Sequence, residues 1–130
     1  MSTTSPKTIL VIEDDKSLSR IILLKLKAAG YRVLFAENAE DAFGLLAEEI
    51  PDLIWLDVYL PGMNGFEFLE HLRKNPRTKD IRVAVVSVSG SNKKVELAEK
   101  FGVTDYFVKS NYRIEELVQL VTGILNRSDK

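Results

Sequence analysis

Four short apolar runs, each closed by a polar group, constrain this chain more than any other feature. Ile9-Leu10-Val11-Ile12 leads into Glu13-Asp14-Asp15, and Leu53-Ile54-Trp55-Leu56 leads into Asp57. Val83-Ala84-Val85-Val86 ends in Ser87, and Tyr106-Phe107-Val108 ends in Lys109. A segment that is apolar at every position, rather than at every second one, has no face to turn to water. Such runs predict strands covered on both sides, the condition of a parallel sheet between two helical layers. Acids, a hydroxyl and an amine then leave the strands at one edge of the sheet, where a crevice opens.

The intervening segments carry helical spacing. Leu18, Ile22, Leu26 and Ala29 recur along a helix from about Lys16 to Ala29, with Gly30 as its stop. Arg32 to Ala36 is a second strand. Asn38 can cap a helix from Ala39 to Glu49, with Glu40 and Asp41 in the first turn, where the helix dipole favours acids. Pro51 breaks the chain before the third strand. A helix from Gly65 to Lys74 carries Phe66, Leu69 and Leu72, and Pro76 prevents its continuation. Strands follow from Arg82 to Ser87 and from Thr104 to Val108. Between them lies a short helix capped by Ser91 or Asn92, reaching Lys100 and ended by Gly102. A last helix from Ile114 to Leu125 shows Leu117, Val118, Val121 and Leu125 on one face. Five strands alternating with five helices predict an α/β fold with right-handed crossovers.

The 130 residues are read as one domain with a core of about 7–126 and frayed polar ends. With a formal net charge of −1, no basic stripe and no recognition-helix module within the 130 residues, direct nucleic-acid binding is not expected. With no cysteine there is no disulfide framework and no thiolate metal site. The segment Met1 to Lys7 lacks a basic n-region, and the apolar run after it is too short for a signal peptide or a membrane span. A cytoplasmic protein without membrane contact is expected. Neither a Walker loop nor G-x-G-x-x-G occurs, so nucleotide binding is not expected.

Residue by residue, the strand-end groups resemble those of a response-regulator receiver domain, over roughly residues 7 to 126. Glu13 and Asp14 match its acidic pair, Asp57 the phosphoacceptor, Ser87 the hydroxyl, Tyr106 the switch aromatic and Lys109 the lysine. The spacings from Asp57 to Ser87 and to Lys109 also fit. The resemblance implies a doubly wound, flavodoxin-like parallel sheet of order 2-1-3-4-5. Its ligand crevice lies at the ends of the first and third strands, where strand order reverses. Three carboxylates meeting there would raise each other's pKa unless a cation joined them, and all-oxygen ligands suit Mg²⁺. On the receiver pattern Asp14 and Asp57 bind the metal directly, Glu13 partly through water, and Tyr59 through its backbone carbonyl. Asp57 is then the nucleophile that becomes an acyl phosphate, and Lys109 and the metal neutralise the phosphoryl charge. Ser87 donates to a phosphoryl oxygen.

The only histidine, His71, falls on the third helix facing solvent, so the donor must come from a histidine kinase or histidine phosphotransfer protein. The implied protein catalyses its own phosphorylation and dephosphorylation but is primarily a signalling switch. Ser87 moves toward the phosphate, Tyr106 rotates inward, and the surface of the fourth helix, fifth strand and fifth helix addresses a downstream protein. A phosphorylation-dependent homodimer is one form that output could take. Two other readings stand beside this one. A degenerate receiver would dock partners without phosphorylation, and a haloacid-dehalogenase-type phosphatase also uses a strand-end Asp. That second family places its nucleophile on the first strand with another Asp two residues later, where this chain has Tyr59.

Glu13 stands where the family frequently has Asp, and Val88 where it usually has a small residue, a bulk expected to restrict access or the rotation of Tyr106. Tyr59 is bulky enough to shield an acyl phosphate from water. Ser110 replaces the proline that usually follows the lysine. A cis bond before a non-proline residue costs about 3–4 kcal/mol, so Lys109–Ser110 is expected to be trans. The N–H that Ser110 regains could help cap the last helix. Structural roles are expected for Asp15 as an N-cap, Ser89 in a loop and Trp55 in the core.

Overall fold

Residues 6–127 are described by the computed structural model; of the frayed ends expected at 1–6 and 126–130, residues 1–5 and 128–130 lie outside it, while Arg127 is ion-paired with Asp105. The elements are β1 (Thr8–Ile12), α1 (Lys16–Ala28), β2 (Arg32–Ala36), α2 (Ala39–Glu48), β3 (Leu53–Leu56), α3 (Gly65–Lys74), β4 (Arg82–Ser87), α4 (Asn92–Lys100), β5 (Asp105–Val108) and α5 (Ile114–Leu125). The strands form one parallel sheet in the order β2-β1-β3-β4-β5. Boundaries differ from the sequence expectation by a residue or so, as at β5, which starts at Asp105 rather than Thr104.

The apolar runs are explained by two cores, one on each face. Leu10, Ile12, Ile54, Leu56, Val83 and Val85 face α2 and α3, where Leu46, Phe68, Leu69 and Leu72 meet them. Ile9, Val11, Leu53, Trp55, Ala84 and Val86 face α1 and α5, packing on Ile22, Leu26, Val121 and Ile124. Trp55 is core, as expected. α4 is held differently: Ala98 is its one fully buried residue. Few buried contacts make an element free to move at little cost, and α4 is the helix that follows Ser87.

Caps fix where each helix begins, and so aim the loops at the carboxyl edge of the sheet. Asp15 Oδ1 accepts from the Leu18 N–H at 3.1 Å, and Asn38 Oδ1 from that of Asp41 at 2.7 Å. Asn64 and Glu67 form a reciprocal capping box, with both bonds at 3.0 Å. Next to it, a Cβ on Gly65 would lie 2.4 Å from Val58 Cα, so only glycine lets α3 start this close to β3. The Lys109–Ser110 bond is trans, and a 3-10 turn spans Lys109–Asn111. Ser110 does not cap α5. The turn intervenes, and the Arg113 N–H donates instead to Glu116 Oε1 at 2.8 Å. No helix among the described residues is long and apolar enough to cross a membrane.

Candidate functional site

Strand register brings the site together. Ile12 pairs with Leu56, so Glu13 and Asp57 leave adjacent strands at the same level, and the Asp57 N–H donates to the Ile12 carbonyl at 3.1 Å. Lys109, just past β5, sends its ammonium across β4 to both acids. Nζ lies 2.9 Å from Glu13 Oε1 and 3.2 Å from Asp57 Oδ2. The remaining oxygens are also engaged: Asp57 Oδ1 accepts from the Tyr59 N–H at 2.9 Å, and Glu13 Oε2 from the Asp15 N–H at 3.1 Å. Glu13 is 1% exposed and Asp57 4%, while Asp14 is exposed beside them.

These burials control the electrostatics. Desolvation pushes Glu13 up to about 7; the bond from Lys109 opposes it and the Asp57 charge adds to it. Asp57 is also raised by burial, against the pull of Lys109. Burial works against the Lys109 ammonium, yet its two carboxylate partners outweigh that and hold its pKa above the ordinary value. The shifts agree on one point: the site has more negative charge than its single cation stabilises. Oxygens of Glu13, Asp14 and Asp57 lie within 4.8 Å of one another, close enough to share one ion. With no nitrogen or sulfur donor among them, the set fits a hard divalent cation that keeps part of its water.

Ser87, the last residue of β4, is fully buried, and its Oγ has no hydrogen-bond partner among the described residues. Tyr106 donates its phenolic O–H to the Ser89 carbonyl at 2.5 Å. Burial raises the Tyr106 pKa and the Ser87 hydroxyl partly offsets that, at a separation outside hydrogen-bonding geometry. The loop after β4 is packed against β5: a Cβ on Gly90 would lie 2.6 Å from Val108 Cγ2 and 3.4 Å from Tyr106 Cε1. Val88 is 63% exposed, so its bulk sits on the surface and not in the interior beside Tyr106. His71 is exposed, as expected.

All the sequence-predicted residues therefore gather at the carboxyl edge. Lys94 of α4 was not anticipated there: its Nζ lies 4.4 Å from the centroid of the Tyr59 ring and 3.2 Å from Ser89 Oγ. No motif or spacing announces such a contact, because it depends on how α4 docks. A concavity bounded by Arg73, Asp80, Arg82, Lys100 and Thr104 opens at the opposite edge and contains none of the site groups.

Comparison with known proteins gives the same picture. Residues 9–122 match the response regulator receiver domain. The chain is 33% identical over 122 residues to the phosphate regulon transcriptional regulatory protein PhoB of Pseudomonas aeruginosa, covering 94% of this chain and 53% of that protein. It spans about half the length of the curated relatives it matches. Among solved structures it is similar to the phosphorylated cyanobacterial phytochrome response regulator RcpA, with a TM-score of 0.80, 30% identity, and coverage of 92% of this chain and 91% of that one. The Mn(2+)-bound form of the response regulator Rcp1 is similar with a TM-score of 0.78, 30% identity and the same coverages, 92% and 91%. Fold, strand order, acidic cluster and family match converge: the chain belongs to the response-regulator receiver domains of two-component systems.

Proposed function

We propose that this chain is a phosphoacceptor receiver, one domain over residues 1–130 with a core of about 7–126, working in the cytoplasm. It takes a phosphoryl group from the histidine of a kinase or phosphotransfer protein onto Asp57. One observation carries the reading: a buried Asp57, bridged by Lys109 to a second buried acid, in a cluster of carboxylates short of positive charge. The Asp57 carboxylate attacks phosphorus, the bond from phosphorus to the donor nitrogen breaks, and its electron pair stays on the imidazole. Lys109 holds its ammonium beside the Asp57 carboxylate, where phosphoryl oxygens arrive, and neutralises their charge. Ser87 supplies a hydroxyl with no other partner among the described residues. Glu13, Asp14 and Asp57, with the Tyr59 carbonyl, would hold Mg²⁺, which supplies the remaining positive charge. RcpA in phosphorylated form and Rcp1 with Mn²⁺ support this assignment by similarity.

The switch follows from the same hydroxyl. A bond from Ser87 to the phosphoryl group exists in one state only, so it can drive a change. Drawing Ser87 toward the phosphate shifts the loop whose Ser89 carbonyl holds Tyr106, and the ring turns inward. The surface of α4, β5 and α5 then presents a different face to a downstream protein, or to a second copy in a homodimer. PhoB is named a transcriptional regulatory protein and is about twice as long as the matched region. We place any nucleic-acid contact outside this segment, in keeping with its net charge of −1.

Acetyl phosphate with Mg²⁺ should add one phosphoryl group to the protein by intact mass, and Asp57→Asn should add none. Asp14→Ala should lose Mg²⁺ affinity and labelling together. Wild-type labelling of Asp57→Asn would sink the assignment.

A further inference from the structure

The Lys94 contacts do more than decorate α4. Tyr59 lies two residues after Asp57, and its N–H is held by the Asp57 carboxylate, so its position is tied to the acceptor. Ser89 lies two residues after Ser87 on the neighbouring strand-end loop. These two loops flank Asp57 on its β3 and β4 sides. Lys94 bridges them from the first turn of α4, with its ammonium over the Tyr59 ring at 4.4 Å and on Ser89 Oγ at 3.2 Å. Lys94 takes part in no ion pair among the described residues, so the ring face and this hydroxyl are the groups that hold its charge. Apart from this bridge, no side-chain contact among the described residues restrains the Tyr59 ring: the residue is 42% exposed, and its hydroxyl has no hydrogen-bond partner among the described residues.

We propose that Lys94 is a positioning residue that pins the Tyr59 ring beside Asp57 and so lengthens the life of the aspartyl phosphate. The inference rests on Asp57 being the phosphoacceptor. In the step it slows, a water oxygen bonds to phosphorus and the bond from phosphorus to the Asp57 oxygen breaks. The carboxylate is regenerated with that electron pair. One water proton stays on the new hydroxyl and the other passes to a second phosphoryl oxygen, giving dihydrogen phosphate. An aromatic ring fixed at the mouth removes directions from which water can reach phosphorus. Lys94 acts through Tyr59 and touches none of the reacting atoms.

The test is hydrolysis of the labelled protein, freed of excess acetyl phosphate, in the presence of Mg²⁺. Lys94→Met keeps the stem and removes the charge. It should hydrolyse about two- to five-fold faster, the range that an exposed cation–π contact can supply. Lys94→Arg should restore the slow rate, because a guanidinium also stacks on an aromatic face. Tyr59→Ala should be fast, and adding Lys94→Met to it should change nothing further, since the lysine acts only through the ring. An unchanged or slower rate in Lys94→Met with normal labelling would overturn the role of Lys94 alone. So would Lys94→Arg behaving like Lys94→Met, or a double variant faster than Tyr59→Ala. A wild-type protein that takes no label would overturn the phosphoacceptor reading, and this inference with it.

Discussion

At the amino edge of the sheet Arg73 donates to four backbone carbonyls, while at the carboxyl edge Lys109 is the one cationic side chain, among the described residues, paired with two buried carboxylates. The Arg73 bonds, at 2.7–3.2 Å, reach Lys79 and Ile81 on the turn into β4, and Phe101 and Gly102 on the turn into β5. Nearby, the Thr8 N–H meets Asp52 Oδ2 at 2.7 Å, and Arg82 Nη1 meets the Ile124 carbonyl at 2.7 Å. These are neutral acceptors or exposed acids, and the donors match them one for one. At the other edge two acids are raised by burial, a third lies beside them, and the Ser87 hydroxyl has no partner among the described residues. At the amino edge the polar groups that hold the fold together are satisfied within it, although in the core Trp55 Nε1 has no partner among the described residues. Groups meant for a ligand are left short of what the ligand brings.

The most disruptive test of this contrast removes the satisfied cation. Arg73→Met leaves four carbonyls without a donor, two of them part-buried. Charge-assisted bonds of this kind are worth about 1.5–3 kcal/mol each, and exposed carbonyls regain water. The expected loss is about 4 kcal/mol, a fall in Tm on the order of 15 °C. Labelling per folded molecule should stay at the wild-type level. A small Tm change, or a labelling defect in the folded fraction, would break the division between the two edges.

The same contrast explains what could be read from sequence. Glu13, Asp57, Ser87 and Lys109 were visible because a polar group after a wholly apolar run is conspicuous, and the run itself demands burial on both faces. That Lys109 reaches both acids depends on β1 lying beside β3, which no local pattern encodes. Asp15 and Asn38 were legible as caps because their own side chains make the bonds. Arg73 was not, since its acceptors are backbone carbonyls and any sequence has those. Ser110 misled as a cap because the 3-10 turn over Lys109–Asn111 separates it from α5. Tertiary docking, not residue type, also decides Lys94.

A second test sharpens the deficit at the carboxyl edge through pH. Glu13 is raised from 4.5 to about 7, so the folded protein keeps a proton that the unfolded chain has released. Stability from this group is fully present below pH 4.5 and is lost as pH rises through about 7. Asp57 is raised too and has the same sign. Lys109, raised as well, also loses its contribution as pH rises, but only in its own, more alkaline range. With a chelator present, wild type should therefore lose about 3 kcal/mol across this window relative to Glu13→Gln. Denaturant melts at several pH values would measure the difference, and Mg²⁺ should shrink it by supplying the missing charge. Parallel profiles for the two proteins would mean that Glu13 is not buried at a cost.

The smallest expected effect lies where the carboxyl edge does satisfy a polar group, at the bond from Tyr106 to the Ser89 carbonyl. This bond holds the ring in the position it has beside Gly90 and opposes the inward turn. Tyr106→Phe removes it and lets the part-buried carbonyl turn to water, so the cost should be only about 1 kcal/mol, or a Tm lower by about 4 °C. The informative readout is binding of a phosphate mimic, beryllofluoride with Mg²⁺. If the bond belongs to the resting state alone, its loss brings the switched state closer by that same amount. The mimic, which selects the switched state, should then bind up to about five-fold more tightly. Val88, exposed on the surface, gives no reason for a steric block on the ring. Weaker mimic binding in Tyr106→Phe would mean that the hydroxyl works in the switched state instead. The Ser89 bond would then resemble the Arg73 bonds, serving the fold and not the response.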